Sequence, residues 1–295
     1  MEQFRNIGLM GRPGNASVAD TLDYLRTFLE KRGIRVIFDE DTAALMPHNG
    51  LQVCTRAMLG EVCDLVIVVG GDGSFLHAAR SLARFNKPVL GINRGRLGFL
   101  TDVSPDEIDA KIAAVLDGDY TLEQRFLLNM ELRSGGSPVG EGLALNDVVL
   151  HAGKSVHMIE FELYIEGQFV YRQRSDGLII ATPTGSTAYA LSGGGPIMHP
   201  RLDAMVLVPM HPHTLSSRPI VVDGNSEIKL LICTEDINPL VSCDAQPGAT
   251  VRAGDWVYVN KHPFKLKVLH PPGHDFYAAC RTKLGWSSHL AKGDE

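Results

Sequence analysis

The 295-residue chain is 44% apolar and carries a formal charge of −6, enough apolar material for one large core or two smaller ones. The acidic balance gives no footprint for nucleic acid, and no apolar run reaches the roughly 18–20 residues that span a bilayer. The opening MEQFRNIGLMGRPGN has no signal-peptide pattern, and the five scattered cysteines contain no C-x-x-C, so the expectation is a cytoplasmic protein with reduced thiols.

The first third alternates strands and helices. Asn6–Met10 reads as a strand and Gly11-Arg-Pro-Gly14 as a loop. Val18, Leu22, Leu25 and Leu29 have helical spacing across Ala16–Arg32, and Gly33 sits where a left-handed stop belongs. Arg35–Phe38 is a second strand, and a looser helix is expected over Gly50–Gly60. Asp64–Val69 is a continuous β-forming run, the mark of a strand covered on both faces. A helix over Ser74–Arg84, a strand at Pro88–Ile92 and a capping box at Ser104-Pro-Asp-Glu107 follow. This alternation predicts a parallel α/β sheet.

The texture changes near Tyr120. Short β-rich runs now alternate with turns: FLLNMELR before SGGSP, ALNDVVLH, MIEFELYIEGQFVYRQR turning at Glu166-Gly167, GLIIATP, AMVLVPM, RPIVV, SEIKLLI, TVRAGDWVYV and FKLKVLH. They predict an all-β, sandwich-like second domain. Asp275–Leu290 reads as helical again. The expected division is 1–122 with the tail 271–295, and 123–270.

Three stretches carry chemistry. Gly70-Gly71-Asp72-Gly73 follows the best-defined strand, the edge where open α/β sheets bind ligands. It reads either as a Gly-rich turn with a capping acid or as a phosphate loop, Gly70, Gly71 and Gly73 giving backbone access at a helix N-terminus. An acid in such a loop repels phosphate, so Asp72 would bind a metal, accept a proton or orient a hydroxyl, as phosphoryl transfer to an alcohol requires. No G-x-G-x-x-G occurs in a strand-to-helix context, and Gly153-Lys154-Ser155 fails as a Walker A ending because Val148 stands where its first glycine belongs. Lys154 is read as a loop residue.

The second stretch, Leu145-Asn146-Asp147-Val148, sets an amide and an acid in an apolar run. They read either as adjacent strand residues on opposite faces, one toward a ligand such as a ribose diol, or as a bulge or turn. The third runs from Arg172 to Pro196, dense in hydroxyls and small residues over Thr182–Ser192. Tyr189 could line a flat ring there and Asp176 could anchor a carboxamide; a plain Ser/Thr/Gly loop is the alternative. His211-Pro-His213 lacks a third ligand at zinc spacing.

In this order the stretches resemble the NAD kinases, over nearly the whole chain. The carriers are GGDG at 70–73, Asn146-Asp147, the glycine-rich run 176–196, Pro212–Pro219 and Cys243-Asp-Ala-Gln246. GGDG alone is shared with phosphofructokinases and lipid kinases; the long run is specific. The resemblance implies an α/β domain, a β-sandwich and a tail returning to the first domain. It also implies ATP-dependent phosphorylation of the adenosine ribose 2′-hydroxyl of NAD, with Asp72 as proton acceptor. Asp72 and Gly73 would contact the dinucleotide, and Asn146 and Asp147 its ribose and adenylate. Thr187, Ala188, Tyr189, Ala190, Leu191 and Ser192 would surround the adenine, and Asp176 would meet the nicotinamide amide. His157 and Arg174 would be further contacts, and Gln246 would approach the site of a neighbouring subunit in a homodimer or homotetramer. His77, one helical turn past Gly73, reads either as a group pointing at phosphates or as a solvated helix histidine. Mg²⁺ is expected with ATP, with no residue assigned as a dedicated metal ligand. Asp147 replaces the Glu of many relatives. The alternatives are a GGDG kinase of a lipid or sugar alcohol and a non-catalytic dinucleotide sensor.

Overall fold

The computed structural model describes residues 4–12, 16–46, 50–95, 98–101, 103–153, 155, 157–214 and 216–286. The chain forms two compact units, the described residues of Met1–Gln124 with Leu266–Glu295, and Arg125–Lys265.

In the first unit, β1 (Asn6–Gly11), α1 (Ala16–Glu30), β2 (Arg35–Asp39), α2 (Glu40–Ala43), β3 (Val53–Cys54), α3 (Arg56–Val62), β4 (Leu65–Gly70), α4 (Asp72–Leu82), β5 (Pro88–Asn93) and α5 (Ile108–Leu116) follow in order. The strands lie side by side as β3-β2-β1-β4-β5, all parallel. Every residue of β4 is buried, as its unbroken apolar sequence requires of a central parallel strand. The buried face of α1 (Val18, Leu22, Leu25, Leu29) joins Ile7, Leu9, Ile67 and Leu90 in one core. Gly33 has φ +74, the left-handed stop that its position suggested. Ser104 and Glu107 form the capping box, opening a short 3₁₀ turn ahead of α5.

Two elements differ from expectation. The stretch read as a helix over Gly50–Gly60 begins as β3, paired to β2 through Phe38↔Val53 and Asp39↔Cys54; Thr55 then caps a shorter helix. The sheet edge offered those residues backbone partners, which outweighed weak helical spacing. A short helix, α2, follows β2 at once, capped by Asp39.

The second unit comprises β6 (Thr121–Ser134, within the unit from Arg125), β7 (Ser137–Ala144), β8 (Asp147–His151), β9 (Ile159–Ile165), β10 (Gln168–Ser175), β11 (Gly177–Ala181), α6 (Tyr189–Ser192), β12 (Ala204–Met210), β13 (Ile220–Asp223), β14 (Ile228–Ile232), β15 (Leu240–Cys243), β16 (Ala249–Thr250) and β17 (Trp256–His270). One sheet includes β10-β9-β14-β17, with β6 and β7 as a hairpin; the other runs β13-β12-β11-β8-β15-β16. Leu128, Val148, Phe161, Ile180, Leu207, Leu230 and Val257 fill the sandwich core. Glu166 and Gly167 take φ +53 and +75, the mirror-image turn that closes the β9–β10 hairpin. TVRAGDWVYV and FKLKVLH do not form separate strands from Trp256 onward, because β17 continues through Pro263. ALNDVVLH is also broken: β7 ends at Ala144 and β8 starts at Asp147. The last residues of β17 lie in the first unit, where Lys267 and Val268 pair with Pro88 and Val89 of β5. Helix α7 (Phe276–Leu284), also in the first unit, is capped by Asp275. Residues 13 and 14 of the Gly11–Gly14 loop, residue 15 after it, Lys154 and the tail beyond 286 lie outside the described residues.

Candidate active site

In the first unit, the loop after β4 turns directly into α4. Gly70 has φ +154, and a Cβ there would lie 2.4 Å from Ser74 Oγ, so the turn itself requires glycine. Gly71 and Gly73 are different: a Cβ on either would meet nothing within 4 Å. The fold leaves those positions open above the first turn of an 11-residue helix, the geometry that suits an anion.

Asp72 is the first residue of α4 rather than a residue of the preceding turn. Phe99 N–H donates to Oδ2 (2.9 Å), Leu100 N–H to Oδ1 (3.1 Å) and the Thr101 hydroxyl to Oδ1 (3.3 Å). A Cβ on Gly98 would lie 1.9 Å from Asp72 Oδ1, so only glycine lets this loop close on the carboxylate. Lys283 of α7 brings its ammonium to 3.8 Å from Oδ2 while sitting 4.9 Å from the centre of the Phe99 ring. Sequence reading missed the 98–101 loop and Lys283; the glycines at 95 and 98 after β5 were the available signal.

His77 lies further along α4 against the Arg56 guanidinium, which also pairs with Asp39 (2.8 Å) and with Asp41. Partial burial, then the charges of Arg56 and Arg80, lowers the pKa of this histidine and favours its neutral form.

In the second unit, the break between β7 and β8 is held from afar. Asp244, left-handed at φ +48 just past β15, accepts hydrogen bonds from the N–H groups of Leu145 (3.0 Å), Asn146 (2.8 Å) and Asp147 (3.3 Å). The register Val148↔Cys243 brings Asp244 there, and its own N–H donates to Asp147 O at 3.0 Å. The carboxylate of Asp147 is 5% exposed; burial first, and Asp244 second, push its pKa up to about 7. Asn146 Oδ1 is buried with no hydrogen-bond partner among the described residues, an acceptor awaiting a donor.

The hydroxyl-rich stretch divides its labour. Thr182 Oγ1 donates to Leu145 O (2.6 Å) and accepts from Gly185 N (3.1 Å), while Ser186 donates to Pro183 O (2.6 Å) and accepts from Met198 N (2.9 Å). A Cβ on Gly185 would lie 2.1 Å from Asn146 O, so the TPTG turn packs on the Asn146 backbone. These buried hydroxyls build the loop. Beyond them Thr187 and Ala188 are half-buried, Tyr189 presents a ring 47% exposed, Leu191 is half-buried and Ser192 is exposed. Ala190 is fully buried against Ile179, Val206 and Val208, so its side chain is a core element.

Asp176 stands at the other end of β11, about 20 Å along the strand from Thr182. Its Oδ2 lies 3.0 Å from His211 Nδ1. Arg174 is exposed on β10 and its carbonyl accepts from His213 N (3.0 Å). His157 and Gln246 are exposed. The structure therefore gathers Asn146, Asp147 and the 182–187 loop at one strand end, and sets Asp176 at the other.

The family model described as the ATP-NAD kinase N-terminal domain matches residues 7–120, and that of the ATP-NAD kinase C-terminal domain matches residues 145–271. An NAD kinase of Pseudomonas putida (strain W619) is 62% identical over 296 residues, covering 100% of both chains. One of Acinetobacter baylyi is 62% identical over 286 residues, 97% of this chain and 93% of its own. Yeast NADH kinase, solved with NADH, superposes with a TM-score of 0.90 at 26% identity, covering 100% of this chain and 91% of that one. An NAD kinase from Archaeoglobus fulgidus, solved with ATP, shares the fold at a TM-score of 0.71 and 24% identity, over 95% and 97% of the two chains.

Proposed function

This chain belongs to the ATP-NAD kinase family, and from that premise we propose how its residues divide the work of phosphorylating NAD with ATP. The full-length identity to NAD kinases does not favour the lipid-kinase or sensor alternatives. The observation that carries the catalytic reading is the surroundings of Asp72: a carboxylate fixed by two backbone N–H groups beside glycines that face open space.

Asp72 accepts the proton of the adenosine ribose 2′-hydroxyl as its oxygen attacks the γ-phosphorus in line. The bond from that phosphorus to the β,γ-bridging oxygen breaks, ADP leaves, and NADP carries the phosphoryl group. Gly70, Gly71 and Gly73 admit the phosphates, with His77 a flanking contact. Asn146 and Asp147 hold the ribose and adenylate. Thr187, Ala188, Tyr189, Leu191 and Ser192 line the adenine, Ala190 contributing backbone only. Asp176 receives the nicotinamide carboxamide, with Arg174 and His157 as further contacts. Its distance from the Asn146 end suits an extended ligand. The active form is a homodimer or homotetramer in the cytoplasm, Gln246 reaching toward a neighbour's site.

The donor set fits a Mg²⁺ ion carried by ATP: the carboxylate at the loop is Asp72 alone, so phosphates and water would supply most of its ligands. When bound, the ion offsets charge on the transferring oxygens. The test is NADP formation from NAD and ATP with Mg²⁺, read by a dehydrogenase specific for the 2′-phosphate. ADP and NADP should appear one for one. NAD binding without NADP would overturn the kinase reading in favour of a sensor.

A further inference from the structure

Glu123, His270 and His274 bring one potential ligand atom each to within 4.8 Å of one another, the one such grouping of three found among the described residues. We propose that these three side chains form a site for a borderline divalent cation of the zinc type, separate from the ATP-borne magnesium. All three belong to the first unit. His270 ends β17 and is 1% exposed, Glu123 lies near the start of β6, and His274 follows Pro271-Pro272-Gly273.

Three features carry the assignment. The donor set is two imidazoles and one carboxylate, which suits zinc and is poor for magnesium, a cation that takes oxygen ligands. Glu123 Oε2 and His270 Nε2 are 3.6 Å apart, close to the ~3.3 Å edge of a tetrahedron built on bonds near 2.0–2.1 Å. Third, His274 lines a cavity of about 160 Å³ with Phe99, Lys111 and Asp275, an entry path for an ion. The nearby cation Lys111 is paired with Glu107 at 3.1 Å.

The two imidazole rings are stacked, centroids 3.6 Å apart and 17° from parallel, so their lone pairs do not yet converge. His274 is the ring that turns: it is half-buried, and its loop carries Gly273 at φ +85. A bound ion would tie Glu123, near where the chain leaves this unit, to His270, where it has returned. A clip across so long a loop restricts the unfolded chain strongly. It would also fix the residue preceding Asp275, the cap of the helix that carries Lys283 toward Asp72.

The test uses the full chain without a purification tag, stripped with a chelator and titrated with Zn²⁺ alone in millimolar Mg²⁺. Wild type should take up one equivalent and unfold at a higher temperature with zinc. His274→Asn and Glu123→Gln should lose about ten- to a hundredfold in affinity and most of the thermal shift, while unfolding cooperatively without zinc. Co²⁺ in the wild-type chain should give visible bands free of thiolate charge transfer. No zinc uptake by wild type, wild-type affinity retained in both variants, or a thiolate spectrum pointing to the cysteines would each overturn the site.

Discussion

Asp72 and Asp147 both stand at strand ends, and their surroundings are opposite. Asp72 opens a helix, remains 31% exposed, and is held by backbone N–H groups with a lysine beyond. Asp147 is 5% exposed and faces a second carboxylate that takes the backbone N–H groups around it. The first is a carboxylate presented beside open space; the second is an acid whose charge depends on pH near neutrality. In the proposed division of work, environment, more than residue type, separates the group that does chemistry from the one that holds a ligand.

The most severe way to break this comparison is at Asp72. Asp72→Asn keeps the shape and loses the proton acceptor, so turnover should fall by about 10²–10⁴. Thermal unfolding should shift only slightly, because Asn retains an acceptor for one of the two N–H groups. Turnover within tenfold of wild type would remove the distinction.

Asp244→Ala attacks the other side. It leaves the buried N–H groups of Leu145, Asn146 and Asp147 without their acceptor, costing about 3 kcal/mol in chemical denaturation. The 145–147 segment loses its anchor, so KM for NAD should rise more than kcat falls. An unchanged KM would mean that the segment holds its shape without Asp244.

Titration sharpens the contrast. Asp147 binds its proton with a pKa near 3.8 when unfolded and about 7 when folded. Between those values the folded state holds more protons, so its contribution to stability falls as pH rises. Asp147→Asn should therefore gain on wild type from about pH 4 to pH 7 and then keep a constant difference. In wild type KM for NAD should fall as pH rises through 7, where the carboxylate ionises, and the variant should not follow. Parallel pH profiles would show that Asp147 does not titrate there.

The smallest effect is the most specific. Gly73→Ala puts a methyl into open space on the first turn of α4. Its stability should rise by up to about 1 kcal/mol while KM for ATP rises. Gain of stability without loss of ATP use would mean that the open space is not where phosphates sit.

What the sequence made legible was local. The β4 run, the GGDG turn, the helix after it, the Ser104 capping box and the Glu166-Gly167 hairpin each rest on neighbouring residues. Hidden were interactions across long separations. Asp72 finds Phe99 and Thr101 27 and 29 residues away, and Asp244 reaches back 97 to 99 residues to the Asn146 segment. Neither leaves a periodicity to read. Where local spacing was ambiguous, tertiary pairing decided: Val53–Cys54 joined the sheet edge, and β17 continued through a proline. The same limit hid Glu123 and His270, 147 positions apart along the chain.

The claim that Asp72 accepts the ribose proton is tested most directly by calorimetric titration of Asp72→Asn with NAD, set beside its turnover. An acceptor acts in the transition state, so NAD affinity should fall less than about tenfold, the worth of one lost hydrogen bond, while turnover collapses. NAD affinity lost by a hundredfold or more with kcat preserved would make Asp72 a binding residue and contradict the account.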